Sequence, residues 1–421
     1  MTALLLAAAS LAAGCAGPRA PGDGAASVDA RWLHDERFGP PREAVSTAHV
    51  FDVNEAMRQY LARDIGGLVR RIGPKAALVE ALFTRGALQI EYQGSATRNA
   101  PDAFAARAGN CLSLVVLTAA LARELGLPVR FQSAVVDDVW SRDGDLLFES
   151  GHVNITIDEH PANSRRTLLP APTTIDFLPP ADIARMRLRS IGAERIEAMF
   201  ANNRAVEALA RGEVDDAYAW ARHAVLRDPA FASGWNTLGV VYLRQGVLDT
   251  AAMLFDAVAS AGVDADRSMR PTAASPTLPA LPELEPSLAA RSRALSNLAT
   301  ARDRQGRAID AERARQRLAA IDRHPPFHFF RLGQVAAAAG DWQTARTNFA
   351  MEARRSESWH EFHFWHGLAA WHLGDIAGAD HALALARETS PDAPTRDRYT
   401  GKLAGLRSAL TPPTAGDTPP P

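Results

Sequence analysis

The chain has 421 residues, of which 47% are apolar, 22% charged and 7% aromatic, and its formal net charge is −2. That apolar fraction excludes a wholly disordered protein. The near-neutral balance excludes nucleic acid as the default partner, because no surplus of Lys and Arg exists to displace counterions. The length corresponds to about two or three domains.

Taken in chain order, Leu4 to Ala13 is an apolar run matching a signal-peptide core and too short to span a bilayer. It ends in Leu11-Ala12-Ala13-Gly14-Cys15. This stretch resembles the lipobox of bacterial lipoproteins, where the Cys is diacylated and becomes the mature N-terminus. The resemblance implies a leader over residues 1–15 and a lipid on Cys15. With Ala16 next, it also implies anchoring to the outer membrane of a Gram-negative bacterium, facing the periplasm. Residues 16–45 open with a Gly-, Pro- and Ala-rich segment and read as a tether. The chain holds two cysteines. If Cys15 carries lipid, Cys111 has no disulfide partner and needs another reason to exist.

Residues 46–190 form the next unit. Gly109 and Asn110 are turn or cap residues, and Leu114 to Leu125 has helical apolar spacing closed by Gly126 and Pro128. Cys111 therefore sits at the first turn of a buried helix, where partial positive charge and free N–H groups stabilise a thiolate. Strands follow at Val129 to Val136 and Gly151 to Ile157, with a polar turn near Arg142 to Asp145 between them. In the second strand, His152, Asn154 and Thr156 share one face. A third extended stretch ends at Asp176. Cys, His and Asp in that order supply a nucleophile, a base and a carboxylate to orient the base.

The segments Ala108 to Leu114, Gly151 to Ile157 and Thr174 to Pro180 together resemble the transglutaminase-like superfamily, an α+β papain-like fold. The resemblance implies Cys111 as nucleophile, His152 as general base and Asp176 as the orienting carboxylate, with Asp158 as the substitute. Gln93 and Trp140 are candidate side-chain donors to an oxyanion. No phosphate-binding loop or dinucleotide fingerprint occurs, so no cofactor is expected.

From residue 198 a period of 34 residues emerges, with segments starting at 198, 232, 292, 326 and 360. The fifteenth positions are Gly212, Gly246, Gly306, Gly340 and Gly374. The twentieth are Ala217, Ala251, Ala311, Ala345 and Ala379. The eighth are Ala205, Gly239, Ala299, Gly333 and Gly367. Gly ends the first helix of each pair, and the small residues allow close helix approach. This pattern resembles tetratricopeptide repeats, an all-α solenoid. Two repeats span 198–262 and three span 289–407, separated by a Pro-rich insertion over 263–288 and followed by a tail expected to be disordered, 408–421. The resemblance implies a concave groove for a protein or peptide partner, lined here by Phe327, Phe330, Phe364 and Trp371. His360, His363, His366 and His372 lack the H-E-x-x-H spacing of a metal pair, and no metal is expected.

These readings lead to an exported cysteine hydrolase (a peptidase or amidase) or acyltransferase, acting through a Cys111 thioester and using its repeats to recruit a partner. The competing reading is a catalytically idle periplasmic adaptor that only binds. The catalytic and repeat halves are expected to be separable near Leu188 to Glu197.

Overall fold

The computed structural model describes residues 28–410, apart from 84–87, 89, 94–95, 136–139, 144–145, 150–151, 159–171, 178–186, 262–280, 283, 285, 323, 325–326, 356–358 and 391–392. The leader, Cys15, the start of the tether, most of the Pro-rich insertion and the tail from 411 lie outside the described residues.

Helices α1 (Glu55–Gln59), α2 (Gly66–Ile72) and α3 (Pro74–Phe83) lead to strand β1 (Glu91–Tyr92) and α4 (Ala100–Ala106). Strand β2 (Ala108–Gly109) pairs in parallel with β1 and runs directly into α5 (Cys111–Glu124). Helix α5 is apolar on nearly every side, and its length from Leu112 to Ala122 is buried. Such a helix belongs inside a core rather than on a surface.

The chain then builds β3 (Val129–Val135), the hairpin β4 (Trp140–Asp143) and β5 (Leu146–Glu149), β6 (His152–Ile157), β7 (Thr173–Ile175) and β8 (Arg187–Ile191). Strands β7, β6, β3 and β8 form one antiparallel sheet in that order. Helix α5 lies against β6, and every residue of β6 is buried. Strand β8 is absent from the sequence reading, which placed its residues in a domain boundary. It is a polar edge strand with exposed Leu188, Arg189 and Ser190, so it carries no alternating apolar signal.

The helix pairs are α6 (Ala193–Ala210) with α7 (Val214–Arg227), α8 (Ala232–Gln245) with α9 (Leu248–Ser260), and α10 (Leu288–Arg304) with α11 (Ala308–Ile321). Two more are α12 (His328–Ala338) with α13 (Trp342–Arg355) and α14 (His360–His372) with α15 (Ile376–Glu388), and α16 (Ala393–Leu410) packs on α15. The five glycines at the fifteenth position all adopt left-handed φ, from 73° to 82°. The five alanines at the twentieth position are fully buried.

Three expectations need correction. The tether stops short of residue 45, because from Asp29 to Arg42 the chain straps across the first two helix pairs. Tyr242 donates its hydroxyl to the Trp32 carbonyl at 2.6 Å, and Phe38 stacks on Tyr218 with ring centroids 3.9 Å apart. The Gly39 and Arg42 amides donate to Asp215 and Asp216 at 2.9 and 2.8 Å. Second, the halves are not independent. One continuous apolar core runs from Trp32 through α5 and the sheet to Leu318 in the third helix pair. Third, the solenoid is interrupted. Helices α11 and α12 scarcely meet among the described residues, and the last two pairs keep cores of their own. Ile309 of α11 and Val335 of α12 are exposed at 72% and 70%.

Candidate active site

Asn110 caps α5, its side-chain oxygen accepting from the Ser113 amide at 2.9 Å, so Cys111 is the first residue of the helix. Its position is tightly held from behind. A Cβ on Gly109 would lie 2.6 Å from the Ser113 Cβ, which only glycine avoids. The Cys111 thiol is half-buried, whereas the rest of the helix is enclosed.

His152 opens β6, and Asp176 directly follows β7. The pairing of Ile155 with Ile175 sets the register that brings Asp176 beside the start of β6. The Asp176 carboxylate lies 2.8 and 2.9 Å from His152 Nε2 through its two oxygens. The Asn154 amide donates to the same carboxylate at 3.1 Å. With Nε2 held there, the other ring nitrogen is left to face Cys111, the second neighbour that favours the imidazolium. Side chains of His152 and Asp176 are 2% and 4% exposed. Burial opposes the imidazolium, but hydrogen bonds and charge from Asp176 and Cys111 outweigh it and raise His152 to about 9.

Asp158 lies at the opposite end of β6, where its two oxygens accept from Arg130 at 2.7 and 2.9 Å. It is therefore not the group that orients His152. The backbone amide of Gln93 donates to the Gly109 carbonyl at 2.9 Å, which sets Gln93 beside the start of α5. Trp140 is in β4, and its side chain lies outside the described residues. Sequence reasoning missed the Asn154 contact with Asp176, although its place on the His152 face was a usable signal.

The expected partner groove is only partly present. Phe327 and Phe330 are buried, packed edge-on or tilted against Phe362 at 5.3 and 5.1 Å, so they join one helix pair to the next. Phe327 is the N-cap of α12 and holds a left-handed backbone with φ 58°. Phe364 stacks on Tyr399 of α16, and Lys402 lies over its ring. Trp371 is the one of the four that stays open, at 48% exposure. Along the earlier pairs, the backbone of β5 runs beside α8 and α10. The histidines of α14 serve packing, with His360 bonded to the Tyr399 hydroxyl at 2.7 Å and His372 stacked on Trp342. Among the described residues no group of three or more His, Cys, Asp or Glu is placed to hold a metal.

Comparison with known proteins gives one family match and several similar structures. Residues 63–161 match the family model described as the transglutaminase-like superfamily. Among solved structures, the chain is similar to the APC/C hetero-tetramer Cut9-Hcn1, at 16% identity over 51% of this chain and 37% of that one, with TM-score 0.31. It is also similar to TTC0263, a thermophilic TPR protein of Thermus thermophilus, at 18% identity over 49% of this chain and 99% of that one, with TM-score 0.30. PilF of Pseudomonas aeruginosa is a third, at 15% identity over 50% and 86%, with TM-score 0.28. No curated protein matches the chain. The chain joins a segment that matches the transglutaminase-like model to an array of helix pairs.

Proposed function

We propose that this fusion is a cysteine hydrolase or acyltransferase that cleaves or exchanges an amide through a thioester on Cys111. The observation that carries this reading is the buried His152–Asp176 pair, with Cys111 at the start of α5 as the neighbour that also favours the imidazolium. Proton transfer from thiol to imidazole gives a thiolate at a helix N-terminus and an imidazolium stabilised by Asp176. The thiolate attacks the amide carbonyl, and the first N–H groups of α5, which have no partner within the helix, face the developing oxyanion. His152 then returns its proton to the leaving amine, leaving the acyl group on sulfur. Water or a second amine, deprotonated by His152, releases it.

The helix pairs would recruit the protein or peptide that carries the amide, with Trp371 available as an anchor. The lipobox-like segment adds export and an outer-membrane lipid anchor at Cys15, facing the periplasm. That part of the proposal rests on residues 1–15 of the sequence alone.

The test is alkylation of Cys111 by iodoacetamide across pH, followed by capture with an electrophilic amide probe. Cys111 should react rapidly well below the pH of about 8.5 at which a free thiol ionises, and His152→Ala should suppress this. Equal rates in native and His152→Ala protein, following an ordinary thiol titration, would leave the idle adaptor as the better reading.

A further inference from the structure

The first helix pair reaches into the catalytic site through a directional chain of hydrogen bonds. Glu207, on α6, accepts the Thr97 backbone N–H at 2.7 Å. Thr97 Oγ1 accepts in turn from Asn110 Nδ2 at 2.8 Å. Asn110 Oδ1 then accepts both the backbone N–H and the hydroxyl of Ser113, each at 2.9 Å. The Ser113 oxygen ends the chain by accepting the Arg98 amide at 2.8 Å. Thr97, Asn110 and Ser113 are all buried, so water does not substitute for any of these partners freely.

Glu207 anchors the residue on which the Asn110 side chain rests. Glu207 holds Thr97 by its backbone N–H, and the Thr97 hydroxyl oxygen turns a lone pair toward Asn110. Asn110 must then present its NH2 to Thr97 and its oxygen to the helix. The reverse orientation would aim NH2 donors at the Ser113 N–H and destroy the cap. Capping at Ser113 leaves the preceding N–H groups of the first turn available for a thiolate or an oxyanion.

We propose that Glu207 is a positioning residue for Cys111, fixing the orientation of the Asn110 cap through Thr97, so that the repeat array is a working part of the catalytic site. This rests on the assignment of Cys111 as the nucleophile. Burial raises the Glu207 carboxyl above its usual range, and the Thr97 bonds with the charges of Arg204 and Arg211 recover part of that shift. Glu207 thus carries a penalty that a purely structural surface position would not need.

The experiment measures iodoacetamide alkylation of Cys111 in the full chain between pH 5 and 9, with thermal melts alongside. Glu207→Ala should slow alkylation at pH 6.5 about fivefold and move its pH profile toward that of a free thiol. Glu207→Gln keeps an acceptor for the Thr97 amide and should restore most of the rate. Thr97→Val should match Glu207→Ala, and the double variant should be no slower than either, because the two act in series. Ala205→Gly, on the same helix, supplies a destabilised control that should keep the native pH profile. A reactive native protein with an unchanged Glu207→Ala profile would overturn the proposal and leave the nucleophile in place. A loss in Glu207→Ala reproduced by Ala205→Gly would also overturn it. An ordinary thiol titration in the native protein would instead remove Cys111 as nucleophile, and the positioning role with it.

Discussion

Asp176 and Asp158 show how much one carboxylate's position decides. Both flank β6 in sequence or in space, both are acidic, and either can be imagined next to His152. The separation comes from strand pairing, since Ile155 opposite Ile175 carries Asp176 to the His152 end while Asp158 pairs with Arg130 at the other. Sequence alone exposes Cys111 and His152 because their signals are local: a cap before a buried helix and a polar face on a strand. The third group depends on a register between strands whose key residues lie 24 apart in sequence, so it is legible only as a choice between two. The Asp176 contact also predicts a pH dependence of stability. His152 is raised from 6.5 to about 9 in the folded chain, so its contribution is complete below about 6.5 and lost as pH climbs through 9. Its size is on the order of 3 kcal/mol, reduced by whatever the Cys111 thiolate shares. Urea melts between pH 6 and 10 should show this decline in native protein, and Asp176→Asn should flatten it. Asp158→Asn should leave the slope intact, since the change falls on a partly exposed pair worth about 1 kcal/mol or less.

Helix pairs were readable at the level of elements because each repeats the same two local demands. Glycine at the fifteenth position enters a left-handed turn, and a small residue at the eighth lets the second helix approach. These demands give separable predictions. Gly246→Ala forces φ of 82° on a residue with a Cβ and should cost about 1–2 kcal/mol through backbone strain alone. No atom lies within 4 Å of the added carbon there, so packing is spared. Gly239→Ala has the opposite character, with its Cβ 2.7 Å from the Phe255 ring in a closed core. It should cost about 1–3 kcal/mol through overpacking, and Phe255→Leu in the same chain should recover part of that loss. Chemical denaturation of the two single variants and the rescued double distinguishes strain from crowding. What the repeat pattern could not report is the face that each aromatic presents. Phe327 and Phe330 occupy positions that line a groove in the resemblance, yet here they fill the gap between adjacent pairs. Strand β8 was hidden for a related reason, because an exposed edge strand gains its order from β3 rather than from its own side chains.

At the scale of the whole molecule, the boundary that matters is not the one between catalytic and repeat sequences. Strand β8 closes the sheet and passes through Gly192 straight into α6, so the last strand and the first repeat helix form one unit. Ile196, Met199 and Phe200 of α6 belong to the same core as Leu112 and Ile155, and the segment from Asp29 to Arg42 ties that core to α7 and α8 from outside. Cutting near Ile191 would expose all of this apolar surface at once. The natural division lies instead after the third pair, where α11 and α12 scarcely meet and separate cores begin. A fragment ending near Asp322 should therefore fold, melt cooperatively and retain the alkylation rate of Cys111, while one ending at Ile191 should aggregate or remain unfolded. Residues 327–410 hold two closed aromatic and aliphatic clusters and should form a helical unit without the rest. Limited proteolysis of the full chain supplies an independent check, with first cleavage expected at the junction of α11 and α12 rather than near Gly192. A stable, reactive fragment ending at Ile191 would mean that the catalytic domain is self-sufficient and that the shared core contributes little to it.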